Sequence, residues 1–168
     1  MTPKRLTLCG VLTAAALSIF VLEAQLPPLL PIPGIKLGLS NLITLFALLY
    51  LSPLETVFIL LARILLGGFL IGNPSTLLYS LLGGIACLGI ELLLLYPLKV
   101  PYIWAVSAVG AIVHNLMQLS LAILITKAAS LLWYLPFLLI AGVLTGLFTG
   151  YAIHLFDKHA GSQMRRLL

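Results

Sequence analysis

Three polar side chains sit close together in the apolar run VGAIVHNLMQLSL, at His114, Asn115 and Gln118. An imidazole and two carboxamides can donate and accept hydrogen bonds and can hold a polar ligand, yet none of them is at home in hydrocarbon. His114 and Gln118 are four apart and share a helix face with Ala111 and Ala122, whereas Asn115 lies about 100° round from His114. Other apolar stretches carry Glu23, Asn41, Arg63 and Tyr79, with Thr44 and Ser80 nearby, and Lys36 ends a proline-rich segment. An ionisable group inside a membrane helix costs about 2.5 to 3.5 kcal/mol on insertion scales, so each asks for a partner or a purpose. The chemistry on offer is binding. Lys36, Arg63 and a protonated His114 suit an anionic group, Asn41, Asn115 and Gln118 supply hydrogen-bond specificity, and Glu23 and Tyr79 complete the candidate substrate-binding set.

Plainer uses stand beside these. An Asn in a membrane helix also serves as a cross-link to a neighbouring helix, and both readings are open for Asn41 and Asn115. Arg63 can pair with Glu23, and such a pair could still border a site. Glu55 and Glu91, near helix ends, are expected to be solvated or to snorkel. The two Trp and most Tyr fall near span ends, where an aromatic belt accounts for them. Cys9 and Cys87 lie in apolar runs at no metal or redox spacing, and the chain has no phosphate-binding loop, so neither metal nor cofactor is expected.

Composition sets the framework around these residues. A chain of 168 residues that is 62% hydrophobic and 8% charged, with mean hydropathy +1.22, cannot hide its apolar surface inside one soluble globule of that size. It reads as an all-α integral membrane protein forming one domain in the lipid bilayer. Its net charge of +5 comes from scattered Lys and Arg with no basic stripe, so nucleic acid is not an expected partner. Apolar runs over residues 6–23, 38–51, 54–71, 75–96, 102–126 and 131–155 give six expected spans. Prolines and glycines punctuate them, at Pro27-Pro28, Pro31, Pro33-Gly34, Pro53, Gly72-Asn73-Pro74, Pro97 and Pro101. Pro136 falls inside the sixth run and is expected to kink it. The first run comes after Lys4 and Arg5 but is long for a signal peptide and lacks a small-x-small cleavage pattern, so it is expected as a retained span.

The second run is short, and charge argues that it crosses. With six spans and a cytoplasmic N-terminus, Lys4, Arg5, Lys99, Lys158, Arg165 and Arg166 lie inside while Lys36 and Lys127 lie in outer loops. Both termini are then cytoplasmic in the cell membrane. The polar residues gather from mid-membrane outward, around an expected cavity that opens outside. On the first span Gly10, Ala14 and Ser18 recur every four residues, a flat stripe that suits either a partner helix or internal packing. Gly142, Gly146 and Gly150 repeat the device on the sixth.

The stretches LEAQLPPLLPIPGIKLGLSNLITLFAL, YSLLGGIACLGIE and SAVGAIVHNLMQL, with an Arg in the third span, resemble the bacterial membrane family called Gx transporters, also labelled heptaprenyl diphosphate synthase component I. That family is in turn similar to the substrate-binding S components of energy-coupling factor (ECF) transporters. The resemblance implies a six-helix bundle, a first outer loop acting as a lid, and a ligand pocket on the outer side. It also implies partners: a transmembrane coupling subunit met by the small-residue face of helix one, here Gly10, Ala14 and Ser18, and ATPase subunits. The two labels imply different functions. A prenyl diphosphate synthase holds diphosphate through Mg²⁺ on clustered aspartates, and this chain has one Asp, Asp157, with Glu23, Glu55 and Glu91 on separate elements. It is therefore not expected to be an enzyme. The expectation is the specificity subunit of a transporter, taking a small anionic or amphipathic precursor-like solute from outside. The alternative is a non-catalytic membrane subunit of heptaprenyl diphosphate synthase in menaquinone side-chain synthesis.

Overall fold

The computed structural model describes residues 3–25, 38–72, 74–98 and 100–167, which are almost wholly helical, with no strand among them. Helix α1 covers Pro3–Gln25, α2 Asn41–Tyr50, α3 Pro53–Ile71, α4 Pro74–Leu98, α5 Ile103–Thr126 and α6 Leu135–Leu167. Short 3₁₀ turns at Val100–Tyr102 and Ala129–Tyr134 lead into α5 and α6. Among the described residues α1, α3, α4, α5 and α6 are long and apolar enough to cross a membrane. Lys36 and the proline-rich segment read above as a lid lie outside the described residues, as does Asn73.

The second expected span is where the structure departs most from the sequence reading. The run 38–51 yields a helix of only 10 residues, about 15 Å long at 1.5 Å per residue, half the ~30 Å of hydrocarbon a spanning helix must cover. Its start is delayed by Gly38, whose φ of +79° belongs to the left-handed region, and by the turn immediately after it. At its other end Ser52 and Glu55 form a reciprocal capping box that launches α3, with Pro53 in the first turn.

Two corrections concern the sixth run. Pro136 does not kink it: the chain runs through 3₁₀ turns to Tyr134, α6 begins at Leu135, and the proline falls in the first turn, where its missing donor costs nothing. The helix also continues beyond residue 155 through the polar tail to Leu167. There Asp157 accepts from Tyr50 Oη at 2.6 Å and from Arg165 at 2.8 Å, tying the end of α2 to α6.

Helices α1, α3, α4, α5 and α6 pack in sequence as neighbours, α1 against α3 and then each against the next, while α2 touches α1, α3, α4 and α6. The glycine stripe of α6 is internal packing. A Cβ at Gly146 would fall 2.5 Å from Ala108 Cα and one at Gly150 the same distance from Trp104 Cα, so the glycines let α5 and α6 meet backbone to backbone. Ser107 and Thr149 then bond across the seam at 2.8 Å. Outside, Phe69, Leu124, Phe137 and Phe148 are exposed, while Arg63, Glu91, His114 and Gln118 are buried. Apolar surface out and ionisable groups in is the arrangement a bilayer imposes.

Candidate functional site

The bundle's polar centre is a chain of hydrogen bonds that begins at Arg63 in the middle of α3. Its guanidinium donates to Ser40 Oγ through Nη1 and to Asn41 Oδ1 at 3.0 Å through Nη2, and Arg63 is 2% exposed. The ring of Phe20 on α1 lies 5.9 Å from the guanidinium carbon, within cation–π range. Asn41 Nδ2 stands 3.2 Å from His114 Nδ1, and His114 Nε2 stands 3.0 Å from the amide of Gln118 one turn on.

The first step of this chain has a fixed direction. An arginine can only donate, so Asn41 must present its oxygen to Arg63 and its NH₂ to His114. The imidazole is thus held by the Asn41 amide at Nδ1 and by the Gln118 amide at Nε2, and the Gly83 backbone bonds to the same ring.

Ser40 is invisible to local sequence rules. Directly ahead of a helix it reads as an N-cap, yet its hydroxyl makes no cap bond and meets Arg63 instead. Gly38 closes the cluster from above. A Cβ there would lie 2.9 Å from Asn41 Nδ2 and 3.1 Å from the His114 ring, and one at Gly83 on α4 would lie 2.8 Å from His114 Nδ1. The imidazole is thus sandwiched between two glycines. Glu23, at the end of α1, accepts the Gly38 N–H at 2.6 Å and so ties α1 to the start of α2. A cavity of about 10 Å³ lies among Phe20, Glu23, Gly38, Ser40, Arg63, Ser80 and His114.

Glu23, Asn41, Arg63, His114 and Gln118 are therefore brought together, and two other sequence candidates are not. Asn115 faces α6 and donates to the Leu138 carbonyl at 2.9 Å, a helix cross-link. Tyr79 is buried with Leu119, Ala122 and Leu138 in an apolar cluster. Gly10, Ala14 and Ser18 are all exposed on α1, and a Cβ at Gly10 would meet nothing within 4 Å.

The acidic residues correct the sequence reading. Glu55, 7% exposed, is the reciprocal partner of Ser52 and lies 3.5 Å from Arg5. Glu91 is 2% exposed and neither solvated nor snorkelling. Although late in α4, it points into the α4–α5 contact, where a Cβ on Gly110 would fall 2.6 Å from its Oε1. Position along a helix gives depth, not facing, and Glu91 faces inward.

A family model described as heptaprenyl diphosphate synthase component I matches residues 12–156, more than four-fifths of the chain and every part of this cluster. No curated protein and no solved structure matches the chain.

Proposed function

The chain belongs to the heptaprenyl diphosphate synthase component I family, and from that premise we propose that it acts as the non-catalytic membrane component of a heptaprenyl diphosphate synthase serving menaquinone side-chain synthesis. The observation that carries this is the family match over residues 12–156. Component I is a non-catalytic subunit, which agrees with the residues: chain elongation needs Mg²⁺ held by clustered carboxylates, and the chain's single Asp, Asp157, is engaged with Tyr50 and Arg165. Catalysis then belongs to a soluble partner. This chain's part is to hold an isoprenoid diphosphate, or a fragment of one, with the anionic head at the Arg63–Asn41–His114–Gln118 cluster and the apolar portion among the helices. The membrane is the cytoplasmic membrane, and both termini lie inside.

A second reading rests on a different observation. The cluster sits where the end of α1, the start of α2 and the middles of α3 and α5 converge, and the small residues Gly10, Ala14 and Ser18 face outward on α1. That combination suits a solute-binding S component, with Lys36 and the proline-rich segment closing over the ligand and an ECF coupling subunit with its ATPases docking on α1. Both readings need an anionic amphiphile at Arg63, and they differ in the fate of the bound ligand.

One experiment separates them. Prenyl chain elongation by the soluble partner is measured with and without this protein in vesicles, alongside uptake of labelled isoprenoid precursors by cells carrying the wild type or Arg63→Gln. Elongation that depends on this chain, with uptake unchanged by Arg63→Gln, supports the synthase component. Uptake lost with Arg63→Gln, with elongation indifferent to this chain, overturns it in favour of the S component.

A further inference from the structure

Beside the Arg63 cluster lies a second polar pocket that neither reading uses. A cavity of about 10 Å³ is lined by Gly38, Asn41, Cys87, Glu91, Ser107, Ala111, Thr145 and Thr149. Glu91 Oε2 has no hydrogen-bond partner among the described residues, although the side chain is almost wholly buried and the Cys87 thiol meets its carboxylate. An orphaned carboxylate oxygen at this depth is among the costliest groups a fold can carry, so something must complete it.

The hydroxyls around it indicate what. Thr145 Oγ1 donates to the Ala141 carbonyl at 2.8 Å, and Thr149 Oγ1 to the Thr145 carbonyl at 2.9 Å. While the Thr149 proton stays on the Thr145 carbonyl, Ser107 is the donor in its 2.8 Å contact with Thr149. In that arrangement all three hydroxyl protons are engaged within the helices and their seam, which leaves Ser107 and Thr145 able to offer oxygen lone pairs beside the Glu91 carboxylate. The Arg63 guanidinium makes one bond from each Nη, to Ser40 and to Asn41, and none of its donors reaches Glu91 Oε2.

We propose that the Glu91 pocket binds one sodium-sized monovalent cation, held by Glu91 Oε2 and by the hydroxyl oxygens of Ser107 and Thr145. A hard cation takes oxygen ligands, one charge balances the Glu91 carboxylate, and the cavity is of the size that holds a single water-sized particle. The competing occupant is a water beside a protonated Glu91, and the test below separates the two. Asn41 lines this pocket and also bridges Arg63 to His114, so the cation and the upper cluster share a wall.

The test uses the full chain purified in detergent, unfolded by heat in sodium chloride or choline chloride at equal ionic strength. Anything that binds the folded state raises its melting temperature with a saturating dependence on concentration. Sodium should raise the midpoint saturably where choline does not, and Glu91→Gln, which keeps the shape and removes the charge, should abolish the difference. Ser107→Ala should keep the effect but raise the sodium concentration at half-saturation about tenfold, as loss of one ligand implies. Sodium and choline giving the same curve for the wild type would overturn the proposal and leave Glu91 protonated instead. So would a sodium effect that survives in Glu91→Gln. If that variant does not fold, an unchanged half-saturation in Ser107→Ala is equally decisive against the site.

Discussion

Two asparagines in the same kind of surroundings carry different loads, and the difference is measurable. Asn41 serves a guanidinium on one side and an imidazole on the other, while Asn115 makes one neutral bond to a backbone carbonyl. Removing Asn41 loses a charged and a neutral hydrogen bond at once, about 2 to 4 kcal/mol together. Removing Asn115 loses about 0.5 to 1.5 kcal/mol. Thermal unfolding of Asn41→Ala and Asn115→Ala in the same detergent should therefore give clearly unequal falls in melting temperature; equal falls would mean that the Arg63 network is not a unit. Gly38→Ala should resemble Asn41→Ala, because a Cβ there meets both the Asn41 amide and His114 on a backbone with φ of +79°. Much of this site is legible from residue type alone. Arg63, Asn41, His114 and Gln118 announce themselves because polar groups in hydrocarbon are costly. Ser40 does not, since its neighbours make it look like a cap. Nor can spacing tell Asn115 from His114, because helical periodicity gives the angle between two side chains and not which of them joins the Arg63 network.

Among the helices, the two small-residue stripes look alike in sequence and play opposite parts. Gly146 is pressed against Ala108, whereas Gly10 faces open space. Gly146→Leu should drive α5 and α6 apart and yield protein that aggregates on extraction, while Gly10→Leu should purify as the wild type does, as judged by gel filtration. A Gly10→Leu protein that aggregates would place α1 inside a larger bundle. Pro136 makes a gentler case. In the first turn of α6 its replacement by Ala should shift stability by less than about 1 kcal/mol, where a proline in a helix interior costs about 3 kcal/mol. The presence of five helices long enough to cross is readable because apolar length is the property the bilayer selects. The start of α2 and the true start of α6 are not, since turn and 3₁₀ geometry at residues 38–40 and 129–134 is settled by packing rather than by hydropathy.

For the molecule as a whole, topology hangs on its shortest helix. Five described helices can cross, and an odd number would put the termini on opposite sides. If α2 and the segment before it complete a sixth crossing, Lys4 and the Arg165-Arg166 tail share the cytoplasmic side, as the balance of basic residues requires. Reporter fusions at each end should both score cytoplasmic, and a split result would put Lys158, Arg165 and Arg166 outside.

The shortness of α2 has an electrical side. Asn41 begins a helix of about 15 Å, and Arg63 and His114 each lie some ten residues into a spanning helix, so both routes of measurement put the cluster about halfway across the ~30 Å core. A charge carried from either face to that depth traverses about half of the transmembrane voltage, worth about 1 kcal/mol for each 100 mV. Under the solute-binding reading an anionic ligand would reach Arg63 from outside a cell that is negative within and work against that field, so that its apparent affinity would fall by about fivefold per 100 mV. Vesicles clamped by a potassium gradient and valinomycin would show it directly: occupancy at a fixed ligand concentration should climb as the membrane is depolarised, so that an energised cell and a resting one fill the same site to different extents.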